Sequence, residues 1–148
     1  MTNCFARATA VLIAALGVAA CGSGTSDRSH PHGRVFFVQP QDGATIKPMS
    51  TFEFGNEGVT IAAVPPGTLT PEQVRAGMTH YHLGVDTDCL PAGQVIPKAD
   101  PWVHFGDGKS VIEMSMTPGK HKVVLQSGDD MHRTIEGLCQ TITVNVVP

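Results

Sequence analysis

The sequence predicts an all-β domain: an Ig-like antiparallel β-sandwich of seven or eight short strands with one short helix. Three observations carry that expectation. Short runs rich in β-branched and aromatic residues recur from Arg34 to Val147. Clusters of Pro, Gly and Asp separate them, as turns require. Only Thr70-Pro71-Glu72-Gln73 starts a helix, with a capping-box pattern and Pro at the first helical position. Gly77 stops it after Ala76, so it has under three turns.

The strands follow in order. Arg34–Gln39 (RVFFVQ) is the first, closed by the turn Pro40-Gln41-Asp42-Gly43. Thr51–Gly55 alternates and reads as a second; Val59–Val64 reads as a third, ended by Pro65-Pro66-Gly67. After the short helix comes Thr79–Asp86 (THYHLGVD), then a Pro-rich connection from Asp88 to Pro101. Trp102–Phe105 is short and apolar and leads into the turn Phe105-Gly106-Asp107-Gly108. Ser110–Met116 and Lys120–Ser127 are strands separated by Pro118-Gly119, and Gly128-Asp129-Asp130 breaks the second of them. Gln140–Val147 alternates cleanly and closes the domain.

The segment before the first strand reads as targeting sequence. Val11–Ala20 is apolar but shorter than the about 20 residues that span a bilayer. With Arg7 ahead of it, it has the form of a signal-peptide h-region. Val18-Ala19-Ala20-Cys21-Gly22 resembles a bacterial lipobox, which implies lipidation of Cys21 and a membrane anchor through that lipid. An ordinary cleaved signal peptide is the alternative; both imply export to the cell envelope, facing the periplasm or the exterior. The expected organisation is thus a signal peptide over residues 1–20, a Gly/Ser-rich tether over 21–33 and a β domain over 34–148.

Charge and cysteine content narrow the function. Without residues 1–20 the chain keeps 9 Lys+Arg against 13 Asp+Glu, mildly acidic and with no basic run. Nucleic acid is therefore not an expected partner. Cys89 and Cys139 form one pair in an oxidising compartment. Their bridge would close a loop of about 50 residues; two metal thiolates are the competing reading, weakened because neither Cys lies in a C-x-x-C.

Histidine is the chemically suggestive residue. His80 and His82 lie on one face of their strand, about 7 Å apart along it. Tyr81, Leu83 and Val85 occupy the other face, the natural core side, so the two imidazoles are expected in solvent or a groove. Paired imidazoles are a common start for a metal site, with copper or zinc the suitable ions. His104, before a turn, and His132, in a loop with Asp129 and Asp130, are candidate further ligands. His121 either joins them or bonds to backbone beside the Pro118-Gly119 turn. His30 and His32 lie in the tether, a poor place for a site. Met114 and Met116 share a face with Ile112 and are expected to be core rather than copper ligands.

Enzyme signatures are absent: there is no G-x-S-x-G and no H-E-x-x-H. Gly108-Lys109-Ser110 mimics the end of a P-loop, but Val103 stands where its first Gly is required.

Five motifs in order, Arg34-Val-Phe-Phe-Val-Gln-Pro-Gln-Asp-Gly43, Thr79-His-Tyr-His-Leu-Gly-Val-Asp86, His104-Phe-Gly-Asp-Gly-Lys-Ser110, Pro118-Gly-Lys-His121 and Gly128-Asp-Asp-Met-His132, resemble the bacterial family called domain of unknown function 4399. The resemblance implies an exported Ig-like β domain and no defined activity. That family's first motif usually has three consecutive histidines, where this chain has Tyr81 in the middle. Its last motif usually has one more, where this chain has Asp130. Sequence alone therefore favours a binding domain with a histidine-lined patch. The rival is a structural or protein-interaction module for an envelope partner, and an envelope enzyme comes third.

Overall fold

The computed structural model describes residues 33–148; the expected signal peptide, Cys21, His30 and His32 lie outside the described residues. The domain is an all-β sandwich. Its strands are β1 (Arg34–Gln39), β2 (Thr45–Ile46), β3 (Met49–Glu57), β4 (Thr60–Ile61), β5 (Met78–Val85), β6 (Trp102–Phe105), β7 (Val111–Ser115), β8 (Gly119–Gly128) and β9 (Thr134–Val146). One sheet has the order β1-β3-β7. The other runs β2-β9-β8-β5-β4, with β6 also on β5. The pairings β1/β3, β3/β7, β5/β6, β5/β8 and β8/β9 are antiparallel, and the two-residue strands β2 and β4 add parallel contacts at the margins.

Two-residue periodicity explains the core between the sheets. Val35 and Phe37 of β1 and Phe52 and Phe54 of β3 face Tyr81 and Leu83 of β5, Val123 and Leu125 of β8, and Leu138, Ile142 and Val144 of β9. Aromatic edges meet at the centre: Phe37–Phe54 centroids are 5.7 Å apart and Phe54–Tyr81 centroids 5.1 Å apart. Such pairs add to the burial free energy. The Tyr81 hydroxyl donates to Asn56 Oδ1 at 3.2 Å, so this ring brings a polar atom inside without orphaning it. Met116 is buried, and Met114 and Ile112 pack against the same core, which accounts for both methionines by packing.

Three elements differ from the sequence reading. The expected helix is only a 3-10 turn, Pro71–Gln73. Gln73 Oε1 accepts from the Thr70 N–H at 2.8 Å, but Val74 is already extended, at ψ 124°. The expected strand Val59–Val64 pairs as a strand only over Thr60–Ile61, continuing through single backbone bonds from Ala62 to Thr79 and Val64 to Gly106. The last strand begins six residues earlier than Gln140, at Thr134, because the loop after β8 is only Asp129–Arg133.

The largest difference concerns the outer face of β5. His80, His82 and Gly84 do point away from the core, but that face is covered and both histidines are fully buried. The cover is the connection from Asp86 to Pro101, which folds back over the sheet. Leu90 and Ile96 pack with Trp102, Val124 and Cys139 in a second, smaller apolar cluster. Gln126 on β8 ties the cover down, donating to Leu90 O at 2.8 Å and accepting from Leu90 N at 2.9 Å. Farther along, Gly93 and Ile96 donate to the carbonyls of Thr134 and His132, and Thr134 donates to that of Gln94. The Cys89–Cys139 disulfide fixes the near end, with Cα atoms 6.2 Å apart.

Removing that staple should loosen the cover. The double variant Cys89→Ala/Cys139→Ala is expected to lose about 2–4 kcal/mol of unfolding free energy. The measurement is chemical denaturation of the oxidised protein against the variant; coincident midpoints would show that the bridge adds nothing to the fold.

Candidate metal centre

Sheet register brings the histidines together. His82 lies directly opposite His104 on β6 and opposite Gln126 on β8, and Gln126 lies opposite Cys139 on β9. Paired residues of an antiparallel sheet project to the same face. One row across four strands therefore reads His104, His82, Gln126, Cys139. His80 sits two residues before His82 on the same face, opposite Gly128.

His132 completes the group from the loop between β8 and β9. Its backbone passes close over Gly128: a Cβ there would lie 3.1–3.3 Å from the carbonyl group and Cα of His132. His132 has φ +64°, a left-handed conformation uncommon for a residue other than Gly. The loop enforces it. Asp129 Oδ1 accepts from the N–H groups of Met131 and Arg133 at 2.8 and 2.9 Å, and Asp129 O accepts from His132 N at 2.8 Å. The other side of the loop is held by Asp130. Its carboxylate accepts from Arg75 Nε, Nη2 and backbone N at 2.7–3.0 Å, while Arg75 also reaches Ala63 O.

His80, His82, His104 and His132 thus converge. One ring nitrogen from each can be chosen so that all four lie within 4.8 Å of one another. Ring centroids are 4.6–5.5 Å apart. His104 Nε2 and His132 Nε2 are 2.9 Å apart, one donating to the other. By contrast, all four nitrogens of His80 and His82 are buried without a hydrogen-bond partner among the described residues. A neutral imidazole has one N–H donor and one acceptor lone pair. Leaving such a group unsatisfied inside a protein costs about 1–3 kcal/mol.

Burial also sets the protonation state. Desolvation, reinforced by the neighbouring imidazoles, lowers the pKa of His80 to about 3 and that of His82 to about 2. His104 and His132 are lowered too, by desolvation and then by the Lys98 ammonium. All four are therefore neutral near pH 7, the form that donates a lone pair to a metal. A cluster of this composition could hold a metal ion.

Other candidate residues are placed elsewhere. His121 does not join the cluster: its Nδ1 is 2.8 Å from Asp86 Oδ2 and its Nε2 is 2.9 Å from Thr117 O. The Asp86 carboxylate raises its pKa, opposite to the other four. Asp129 and Asp130 turn to the backbone and to Arg75 and offer no ligand atom. Cys89 and Cys139 are joined to each other, which excludes them as thiolates in this structure. Position 81, the middle of the first histidine motif, faces the core against Phe54, so a side chain there points away from the site. Sequence reading did not single out Arg75, Gln126 or Gly128 as supports. Gly128 stands inside the Gly128–His132 motif and was visible; nothing near Arg75 signals its partner 55 residues away.

Neutral histidines make the metal-free fold acid-sensitive. Unfolded imidazoles titrate near 6.5, so between that value and about 3 the unfolded chain binds more protons than the native one. Stability conferred by the depressed groups is present above pH 6.5 and falls on acidification. His80 and His82 together should remove about 4 kcal/mol between pH 8 and pH 5. Urea unfolding of chelator-treated protein across this range measures it, and a flat profile would contradict buried neutral imidazoles.

Searches among curated proteins and among solved structures gave no match. A family model does match: Domain of unknown function (DUF4399), over residues 52–147. That span covers more than half of the chain and contains all four converging histidines, and the chain belongs to this family.

Proposed function

We propose that this chain is a lipid-anchored cell-envelope protein whose β domain binds a transition metal, copper or zinc, through His80, His82, His104 and His132. One observation carries the metal reading: four convergent imidazoles, two of them fully buried with every ring nitrogen unpartnered among the described residues. A metal would accept one lone pair from each ring. Zn–N bonds of about 2.0–2.1 Å put tetrahedral ligand atoms roughly 3.3 Å apart. The rings would then close in by an ångström or so from their widest present separation.

The ligand chemistry selects among ions. Imidazole-only sites suit copper(II) or zinc, and no carboxylate or thiolate among the described residues adds a hard or soft bias. Four protein ligands fill a tetrahedral zinc site, which favours holding an ion over hydrolytic catalysis on it. The buried convergence also favours this reading over an interaction module, which would need only surface imidazoles.

Calorimetry on chelator-treated protein tests it. Copper(II) or zinc is expected to bind with one ion per chain and a Kd well below about 10 μM, corresponding to more than about 7 kcal/mol. His80→Ala/His82→Ala should abolish that binding, whereas His121→Ala should leave it intact. Equal binding by the wild type and the double variant would refute the site.

The anchor rests on Cys21 in its lipobox-like setting. Cys21→Ser is expected to move the protein from the membrane fraction to the soluble exported fraction. An unchanged membrane fraction would overturn lipid anchoring.

A further inference from the structure

The four-histidine set has a consequence for charge. Four neutral ligands leave a bound divalent ion with its full positive charge, in a setting where His80 and His82 have no solvent exposure. Isolated charge in such a place is costly, and proteins offset it with a counter-charge.

The acidic side chains nearest the cluster supply only part of that counter-charge. Asp130 is buried in its ion pair with Arg75, 2.7 Å away. Asp129 uses Oδ1 to cap the backbone of its own loop, and its carboxylate, which has no ion-pair partner among the described residues, acts on His132 and can offset one of the ion's two charges. Asp107, after β6, pairs with Lys109 at 2.8 Å. None contributes a donor atom to the histidine group.

A pocket of about 410 Å³ adjoins the cluster, and His132 belongs to both. Val64, Pro65 and Leu69 give the pocket an apolar wall, and Lys98 and Asp130 are its charged residues. Because Arg75 neutralises Asp130, Lys98 is the charge of the lining that no described residue compensates, and it has the same sign as the ion beside it. Two positive charges at one pocket attract an anion. A single ammonium suits a monoanion, and the apolar wall suits one with a short hydrocarbon part.

We propose that the metal-loaded domain binds a small monocarboxylate in this pocket, held between Lys98 and the metal centre behind His132. This rests on the metal-binding reading above. The carboxylate supplies the counter-charge that the four histidines lack, so metal and carboxylate binding reinforce one another, each raising the other's affinity by the same factor.

The test measures zinc affinity of the full chain with a competing chelator fixing the free ion. Buffers of equal ionic strength contain perchlorate, chloride or acetate. Acetate at about 50 mM is expected to tighten zinc binding about tenfold over perchlorate, a coupling of about 1.4 kcal/mol. In Lys98→Ala the affinity in perchlorate should be kept or improved, while the acetate effect shrinks to less than about twofold. Zinc affinity independent of acetate in the wild type would overturn the proposal. So would an equal acetate effect in Lys98→Ala, or a chloride effect as large as that of acetate. Failure of the underlying metal site looks different: no zinc uptake in any of the three buffers.

Discussion

The fold back of the Asp86–Pro101 connection over the outer face of β5 is the constraint on which the site depends. A sandwich strand ordinarily has one wet face. Here the disulfide at Cys89 and the paired hydrogen bonds of Leu90 with Gln126 press a third layer onto the sheet. Without that layer, His80 and His82 would be surface imidazoles, hydrated and free to protonate. With it they are dry, neutral and held close together. The same segment then reaches His132, whose carbonyl accepts from Ile96 N, so cover and loop ligand are mechanically joined.

The site is divided between stiff and compliant parts. His82 and His104 are fixed by strand register, and His80 by its place on the same strand. Their relative positions change only if the sheet changes. His132 is held by an Asx-type loop, by the close passage over Gly128 and, through Asp130, by Arg75. Buried polar networks of this sort favour one arrangement of a loop because any other leaves a charge or donor unmatched.

Much of this was legible in the sequence, and the rest was hidden for physical reasons. The alternation Tyr81, Leu83 against His80, His82 is a local property of an extended chain, and it separated core from histidine face correctly. The pairing of Cys89 with Cys139 followed from cysteine parity. Burial of the histidine face did not follow, because a Pro-rich connection has the composition of a solvated loop; its few apolar anchors, Leu90 and Ile96, carry no periodicity. Of the two readings open for His121, the backbone bond beside the turn holds, to Thr117 O. Its second partner, Asp86, was hidden because it comes from the end of another strand. The helix expected at Thr70 shows the limit of a good cap: a favourable start does not extend a helix when Val74 is extended and the Arg75 N–H is drawn to Asp130.

The left-handed His132 gives the centre a direction. Three of the histidines stand on strands that open only with the sheet, and one stands on a five-residue loop beside the pocket. An ion held by all four would therefore exchange by swinging that one arm, at a rate set by local opening of the loop and not by global unfolding. Retention time and thermodynamic affinity would then be separately adjustable. Changes at Asp129, Asp130 or Arg75 would alter how fast such an ion comes and goes, while changes on β5 would alter how tightly it is held.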